Sequence, residues 1–258
     1  MNVEADSLTS PIPEGSIEFP SYEASHLAED SHGDRCGAPR QEVRWSAAQA
    51  KEDSFWRRDG VYKPEMRRVT SRYLPVIQEL SAGLEEDSKI LDVGCGPTCV
   101  SRFFPVGSKT YLDPLMDTYR EAYPEGLIPA GERIRAPAER IPKENESYDV
   151  VICVNALDHM CDPPQALREM RRVLKSDGTF VLGVFLHPRP TALLRRFVER
   201  RLPIFREDAH PHSYTLGSIR SLLSEFFLIH NQVRVFRKDS AWFPSIHRED
   251  WMFMCGRG

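Results

Sequence analysis

Between residues 89 and 185 the chain carries five short apolar runs, at 89–93, 109–112, 133–136, 149–154 and 179–185. Near-continuous apolar runs of this length, alternating with helical segments, must be buried on both faces, and a mostly parallel sheet covered by helices on each side provides that burial. The clearest intervening helix opens at Asp162, an N-cap residue with Pro163 at the first helical position and Gln165 three residues beyond the cap. Ala166, Leu167, Met170, Val173 and Leu174 then recur as one apolar stripe, and Asp177 and Gly178 turn the chain into the fifth run. Residues 226–236 and 251–255 read as two more strands, joined through a loop containing Pro244 and able to add an antiparallel edge. The expected class is therefore α/β, with a doubly wound sheet.

Upstream of this pattern the chain divides in two. Residues 1–40 mix Ser, Pro, Gly and acidic residues with no apolar period, which predicts a disordered acidic tail. Residues 41–86 carry helical spacing instead: Val43, Ala47, Ala50, Phe55 and Trp56, then Met66, Val69, Tyr73, Val76, Ile77 and Leu80 after Pro64, with Gly83 as stop signal. This is an N-terminal helical cap, leaving 87–258 as the main domain. The net charge of -4 hides an asymmetry. Residues 1–34 hold eight acidic residues and no Lys or Arg, so 30 acidic residues face 34 basic ones in the remainder.

That balance gives no global reason to expect nucleic acid as a partner. The basic amphipathic segment at 191–201, with Arg195, Arg196, Arg200 and Arg201 opposite Leu193, Leu194, Phe197 and Val198, is the one hint of an anionic macromolecule; its first reading is a packed helix with a solvated face. The six cysteines lack the close pairing of a zinc or redox motif and fall largely in or beside apolar runs. No signal-peptide pattern or apolar stretch of membrane-spanning length occurs, so a cytoplasmic protein with reduced thiols is expected.

The motif with chemical content is Ile90-Leu91-Asp92-Val93-Gly94-Cys95-Gly96. Its glycines stand where a buried strand must turn sharply into a helix and where a ligand must approach the backbone, as an adenosyl cofactor requires. Asp113 follows the next strand about 20 residues on, where a carboxylate can accept ribose hydroxyls. A dinucleotide fold uses the same devices but needs a third glycine at the position occupied by Cys99, so that fingerprint fails. S-adenosylmethionine (SAM) carries a sulfonium and no phosphate, and Asp92 beside the loop suits its positive charge and amino group.

LDVGCGP at 91–97, LDP ending at Pro114, SYDVVICVNALDH at 147–159 and RRVLKSDGTFVL at 171–182 together resemble the class I SAM-dependent methyltransferases, above all the small type 11 subgroup. The resemblance spans about 90–185 and implies a Rossmann-like, mostly parallel seven-stranded sheet with an edge hairpin. It implies SAM as cofactor, with Gly94, Cys95 and Gly96 under the methionine part, Asp92 near its amino group and Asp113 and Pro114 at the ribose. Asn155 and Ala156 match cofactor-contacting positions. Ala138 and Glu139 match the adenine-binding stretch, although Pro137 replaces the usual acid there.

His159, just beyond the fourth strand, is the candidate general base, weighed against a packing role. Tyr62 and Trp56 are placed in sequence to act as a lid, and Tyr62 and His212 are candidate substrate contacts. His187, His210 and His212 lack metal-ligand spacing, and Pro211 interrupts them, so no metal is expected. The implied function is methyl transfer to a small-molecule acceptor of unstated nucleophile. A macromolecular acceptor, or a SAM-binding regulator without catalysis, is the alternative; oligomeric state is not encoded in any motif.

Overall fold

The computed structural model describes residues 39–187, 211–239 and 247–258. The acidic segment 1–38, the basic segment 191–201, His210 and the loop containing Pro244 lie outside the described residues. Two helices precede the sheet, α1 (Pro39–Trp56) and α2 (Tyr62–Leu80). The strands are β1 (Lys89–Val93), β2 (Ser108–Leu112), β3 (Glu132–Ile134), β4 (Tyr148–Val154), β5 (Leu174–Leu186), β6 (Leu228–Asp239) and β7 (His247–Gly256). Between them lie α3 (Met116–Ala122), α4 (Pro163–Val173) and α5 (Leu216–Ser224).

The sheet order is β3-β2-β1-β4-β5-β7-β6. Its first five strands are parallel, and β7 inserts antiparallel between β5 and β6, closing the expected edge hairpin. The order reverses at β1, so the carboxyl ends of β1 and β4 flank the crevice where open α/β sheets bind ligands.

Strand alternation divides the core between the two faces. Val151 and Cys153 of β4 join Leu91, Val93, Phe180 and Leu182 against α4 and α5. Val150, Ile152 and Val154 point the other way, with Ile90, Val181, Met252 and Met254, onto Val69, Tyr73 and Ile77 of α2. The predicted cap of α4 is present: the Asp162 carboxylate accepts from the Gln165 N–H at 3.1 Å. A Thr215–Ser218 capping box starts α5, which, like α3, the apolar pattern did not announce.

One expectation fails. The glycine loop does not lead into an α-helix; residues Val100–Phe103 make a single 3-10 turn instead. Only 14 residues separate Val93 from Ser108, and Pro97, the left-handed Cys99 (φ +46°) and Pro105 fall among them, so no run is left for a longer helix. The expectation of reduced thiols holds for Cys95, Cys99, Cys153 and Cys255, which are free and buried, and not for Cys161, which forms a disulfide.

A buried polar chain ties α2 to the far edge of the sheet. Arg72 Nη1 lies 2.5 Å from Asp250 Oδ2 on β7, and the Tyr73 hydroxyl donates to the same oxygen at 3.1 Å. Asn155, leaving β4, donates through Nδ2 to the Tyr73 oxygen at 2.9 Å. The Arg72 guanidinium stacks on Phe236, 3.7 Å from the ring centre. Asp250 has no exposed surface, so losing one side of the pair strands a charge in the interior. Asp250→Ala is therefore expected to cost about 3–5 kcal/mol, read as a lowered urea midpoint; a shift below about 1 kcal/mol would mean the pair behaves as a surface contact.

Candidate active site

At the carboxyl edge of the sheet the chain leaves β1 through Gly94, whose N–H donates to the Leu112 carbonyl at 2.7 Å. Gly94 has φ +64°, and a Cβ there would lie 2.3 Å from the Ala156 Cβ. No other residue type fits this approach between the β1 and β4 loops. Asn155, at φ +53°, is the left-handed residue on the β4 side, a conformation Asn tolerates better than most.

Asp113, at the end of β2, fastens the loop from the side. Its Oδ2 accepts from the Gly96 N–H at 3.0 Å and its Oδ1 from the Leu115 N–H at 2.8 Å, with the Tyr119 hydroxyl as a further partner. Burial raises its pKa to about 6 against the pull of those donors, and the Glu52 carboxylate adds to the rise. Asp92 fastens the other end, accepting from the Ser101 N–H at 2.8 Å, and burial raises it also to about 6.

A cavity of about 740 Å³ opens above these strand ends. Gly94, Cys95, Gly96, Asp113 and Pro114 line it from the β1 and β2 side. Ala138, Glu139, Asn155, Ala156 and His159 line it from the β3 and β4 side. Three expected site residues do not. Asp92 faces away from the cavity and holds the Ser101 N–H, because it stands on the Ile90 side of β1. Tyr62 accepts from Arg102 Nη1 at 3.1 Å and packs on Tyr123, sealing the base of the cap. His212 holds the Met160 carbonyl through Nε2 at 3.0 Å, and burial lowers its pKa. Its role is to tie segment 211–215 to the β4 loop. Glu139 lines the cavity, but its carboxylate accepts from the N–H groups of Cys161 and Asp162 at 2.7 and 3.0 Å, so it braces the entry to α4.

The cap supplies what the strand ends lack. Trp56 lies over Gly96, where a Cβ would meet its ring at 3.8 Å, and its Nε1 donates to Glu52 at 3.1 Å. Tyr123 anchors the end of α1 by donating to the Trp56 carbonyl at 2.6 Å, and Thr118 donates to Asp53 at 2.7 Å. His159 sits between carboxylates from two elements: its Nδ1 is 3.5 Å from Glu52 on α1 and its Nε2 is 3.9 Å from Asp158. Among the described residues no group of three or more His, Cys, Asp or Glu is gathered to hold a metal ion.

One wall of the cavity thus presents acceptors: Asp113, Glu52, Asp158 and the Asn155 Oδ1, which is buried with no hydrogen-bond partner. Such a wall suits a ligand that brings hydroxyl and ammonium donors and a positive charge, as SAM does, and repels a pyrophosphate. Residues 91–182 match the family model described as Methyltransferase domain. The ubiquinone biosynthesis O-methyltransferase of Pseudoalteromonas translucida is 30% identical over 173 residues, 64% of this chain and 71% of the relative. The chain belongs to the class I SAM-dependent methyltransferases.

The ubiquinone biosynthesis O-methyltransferase of Yersinia enterocolitica is 29% identical over 138 residues, and here the chain spans little more than half of the relative, 55%, against 50% of its own length. In fold, this methyltransferase superposes on the YcgJ protein of Bacillus subtilis with a TM-score of 0.55, at 18% identity, over 72% of this chain and 98% of that one. The geranyl diphosphate C-methyltransferase of Streptomyces coelicolor, solved with S-adenosylhomocysteine, gives 0.56 at 11% identity over 74% and 80% of the two chains. SAM is the cofactor of the family, and the donor-seeking wall fits it.

Sequence reasoning missed Glu52, Tyr119, Arg68 and Phe185 as cavity residues of this methyltransferase. Glu52 carried a usable signal, standing four residues before Trp56 on one helix face. Asp113 yields a pH test. Below about pH 6 it carries a proton and loses acceptor capacity, so affinity for S-adenosylhomocysteine is expected to fall as pH drops from 7 to 5 and to stay level above 7. Calorimetric titration at several pH values checks this, and Asp113→Asn should weaken binding about tenfold and flatten the acid side of the profile. An acid limb that persists in the variant would assign it to another group.

Proposed function

We propose that this chain transfers a methyl group from SAM to a nucleophilic oxygen, nitrogen or carbon of a small-molecule acceptor. The observation that carries the proposal is the single cavity joining the glycine loop, Asp113 and His159 beneath the cap. SAM, when bound, supplies a methyl group on a positively charged sulfur, open to in-line displacement.

The chain's own residues do the rest. Gly94 and Gly96 admit the cofactor's amino-acid part against the backbone, and the Asn155 Oδ1 is an acceptor for its amino group. Asp113 receives the ribose hydroxyls while it holds the loop through Gly96. Trp56 and Phe55 cover the site and exclude water, which leaves most of the rate to orientation of the acceptor. His159 takes the proton of a protic acceptor, and Glu52 and Asp158 orient the ring and meet the charge it acquires. The placement of this base beneath α1 makes the cap part of the catalytic site.

The relatives named as O-methyltransferases make a hydroxyl the first acceptor to test. No helix among the described residues is long and apolar enough to cross a membrane. The composition, without a basic excess, favours a diffusible acceptor over nucleic acid.

Conversion of SAM to S-adenosylhomocysteine in the presence of hydroxylated aromatic acceptors tests the reading. His159→Ala is expected to lower kcat by about 10²-fold or more while changing S-adenosylhomocysteine affinity less than threefold, about 0.7 kcal/mol. Parallel loss of both would assign His159 to packing, and loss of neither would remove it from the mechanism.

A further inference from the structure

The cavity has a second pole, away from the acidic wall. Arg68 of α2 lines it, and its guanidinium is held on one side only, where Nε and Nη2 both lie 2.6 Å from Glu65 Oε2. Its Nη1 is buried without a hydrogen-bond partner. A buried guanidinium nitrogen with no acceptor is costly, and a ligand that supplies one recovers that cost. The same guanidinium lies 5.6 Å from the centre of the Phe185 ring, and Phe185 and Arg248 line the same stretch of wall. The neighbouring arginine is spent: Arg72 is paired with Asp250. Of the cations that line the cavity, Lys51, Arg58, Arg68 and Arg248, Arg68 therefore keeps a buried guanidinium nitrogen that lacks an acceptor, and Arg248, exposed, adds positive charge at the rim.

We infer that Arg68 binds an anionic group, a carboxylate or phosphate, on the methyl acceptor, with Phe185 beneath the acceptor's apolar or aromatic body. The inference rests on the methyltransferase reading of the cavity. Phe185 stands one residue before the end of β5, two strands from the β1 loop that takes the cofactor's amino-acid part, so about 10 Å separates the two places along the sheet edge. That spacing puts Arg68 beside the acceptor rather than the cofactor. The planar guanidinium, fixed by Glu65, presents an N–H in a set direction, which favours a charged oxygen over a neutral hydroxyl.

Benzoate and benzyl alcohol, matched in size and differing in charge, are the probes, titrated into the full chain with and without saturating S-adenosylhomocysteine. Benzoate is expected to bind the wild type about tenfold or more tightly than benzyl alcohol. Arg68→Gln should erase that preference with S-adenosylhomocysteine affinity unchanged, Arg68→Lys should keep part of it, and Arg248→Gln should reduce it. Equal binding of the two probes, absence of benzoate binding, or a preference that survives in a folded Arg68→Gln protein overturns the inference. So does a loss of S-adenosylhomocysteine affinity in Arg68→Gln with 5′-methylthioadenosine unaffected, since Arg68 would then hold the cofactor's carboxylate. A wild type that binds no S-adenosylhomocysteine removes the methyltransferase reading separately, and the probe pair without cofactor still decides whether Arg68 is an anion site.

Discussion

Two buried carboxylates hold the loop on which the site depends. Asp113 takes the Gly96 N–H and Asp92 the Ser101 N–H, so the segment between β1 and its 3-10 turn is pinned at both ends. Both groups are raised to about 6 by burial, yet each accepts backbone donors that would otherwise be orphaned in the interior. The loop needs such anchors because it has no α-helix behind it to fix its course. Cys99 fills the place where a dinucleotide fold has its third glycine and takes a left-handed conformation there, packed with Cys95 and Tyr111 under the ligand floor.

From this floor the site is built upward by the cap. Trp56 covers Gly96, Glu52 approaches His159, and Arg68 and Val69 close the side over β4 and β5. Asp113, Glu52 and Asp158 bring carboxylates to the side of the glycine loop and the β4 exit, and Arg68, paired with Glu65, brings a guanidinium to the side of Phe185. In a cavity of restricted water such an arrangement has a larger effect than on the surface, because the local dielectric is lower. A cationic cofactor and an anionic acceptor would each meet opposite charge, and their reacting atoms would be directed toward the middle. The chain from Asn155 through Tyr73 to Asp250 and Arg72 links this middle to the hairpin edge, so the position of α2 is set by buried polar bonds as well as by apolar packing.

The parts of the fold that were legible in the sequence are those governed by local period. Strand-length apolar runs, the Asp162 cap and the paired glycines each follow from a few adjacent residues, and all three recur in the structure. The α-helix expected after Gly96 did not form, because a short connection rich in proline and turn conformers overrode the usual strand-to-helix course. Site residues separated into two kinds. Gly94, Asp113, Asn155 and His159 belong to segments that leave strand ends, and position in the segment was enough to bring them to the cavity. Tyr62, His212 and Asp92 have suitable chemistry, but each side chain is turned toward a structural partner.

The sequence by itself determined the sheet, the cofactor loop and the family, because burial on both faces and close backbone approach each impose a residue pattern readable over a few positions. Only the tertiary structure decided which polar side chains face the ligand. Asp92 and Asp113 differ little as letters beside strands, yet one stands within β1 and is held behind it by the Ser101 N–H, while the other stands just past the end of β2, where the chain has left the strand and turns to the cavity. Glu52 and His159, or Arg68 and Phe185, lie about a hundred residues apart in the chain. Their contact depends on how α1 and α2 pack across the strand ends, which no local pattern specifies.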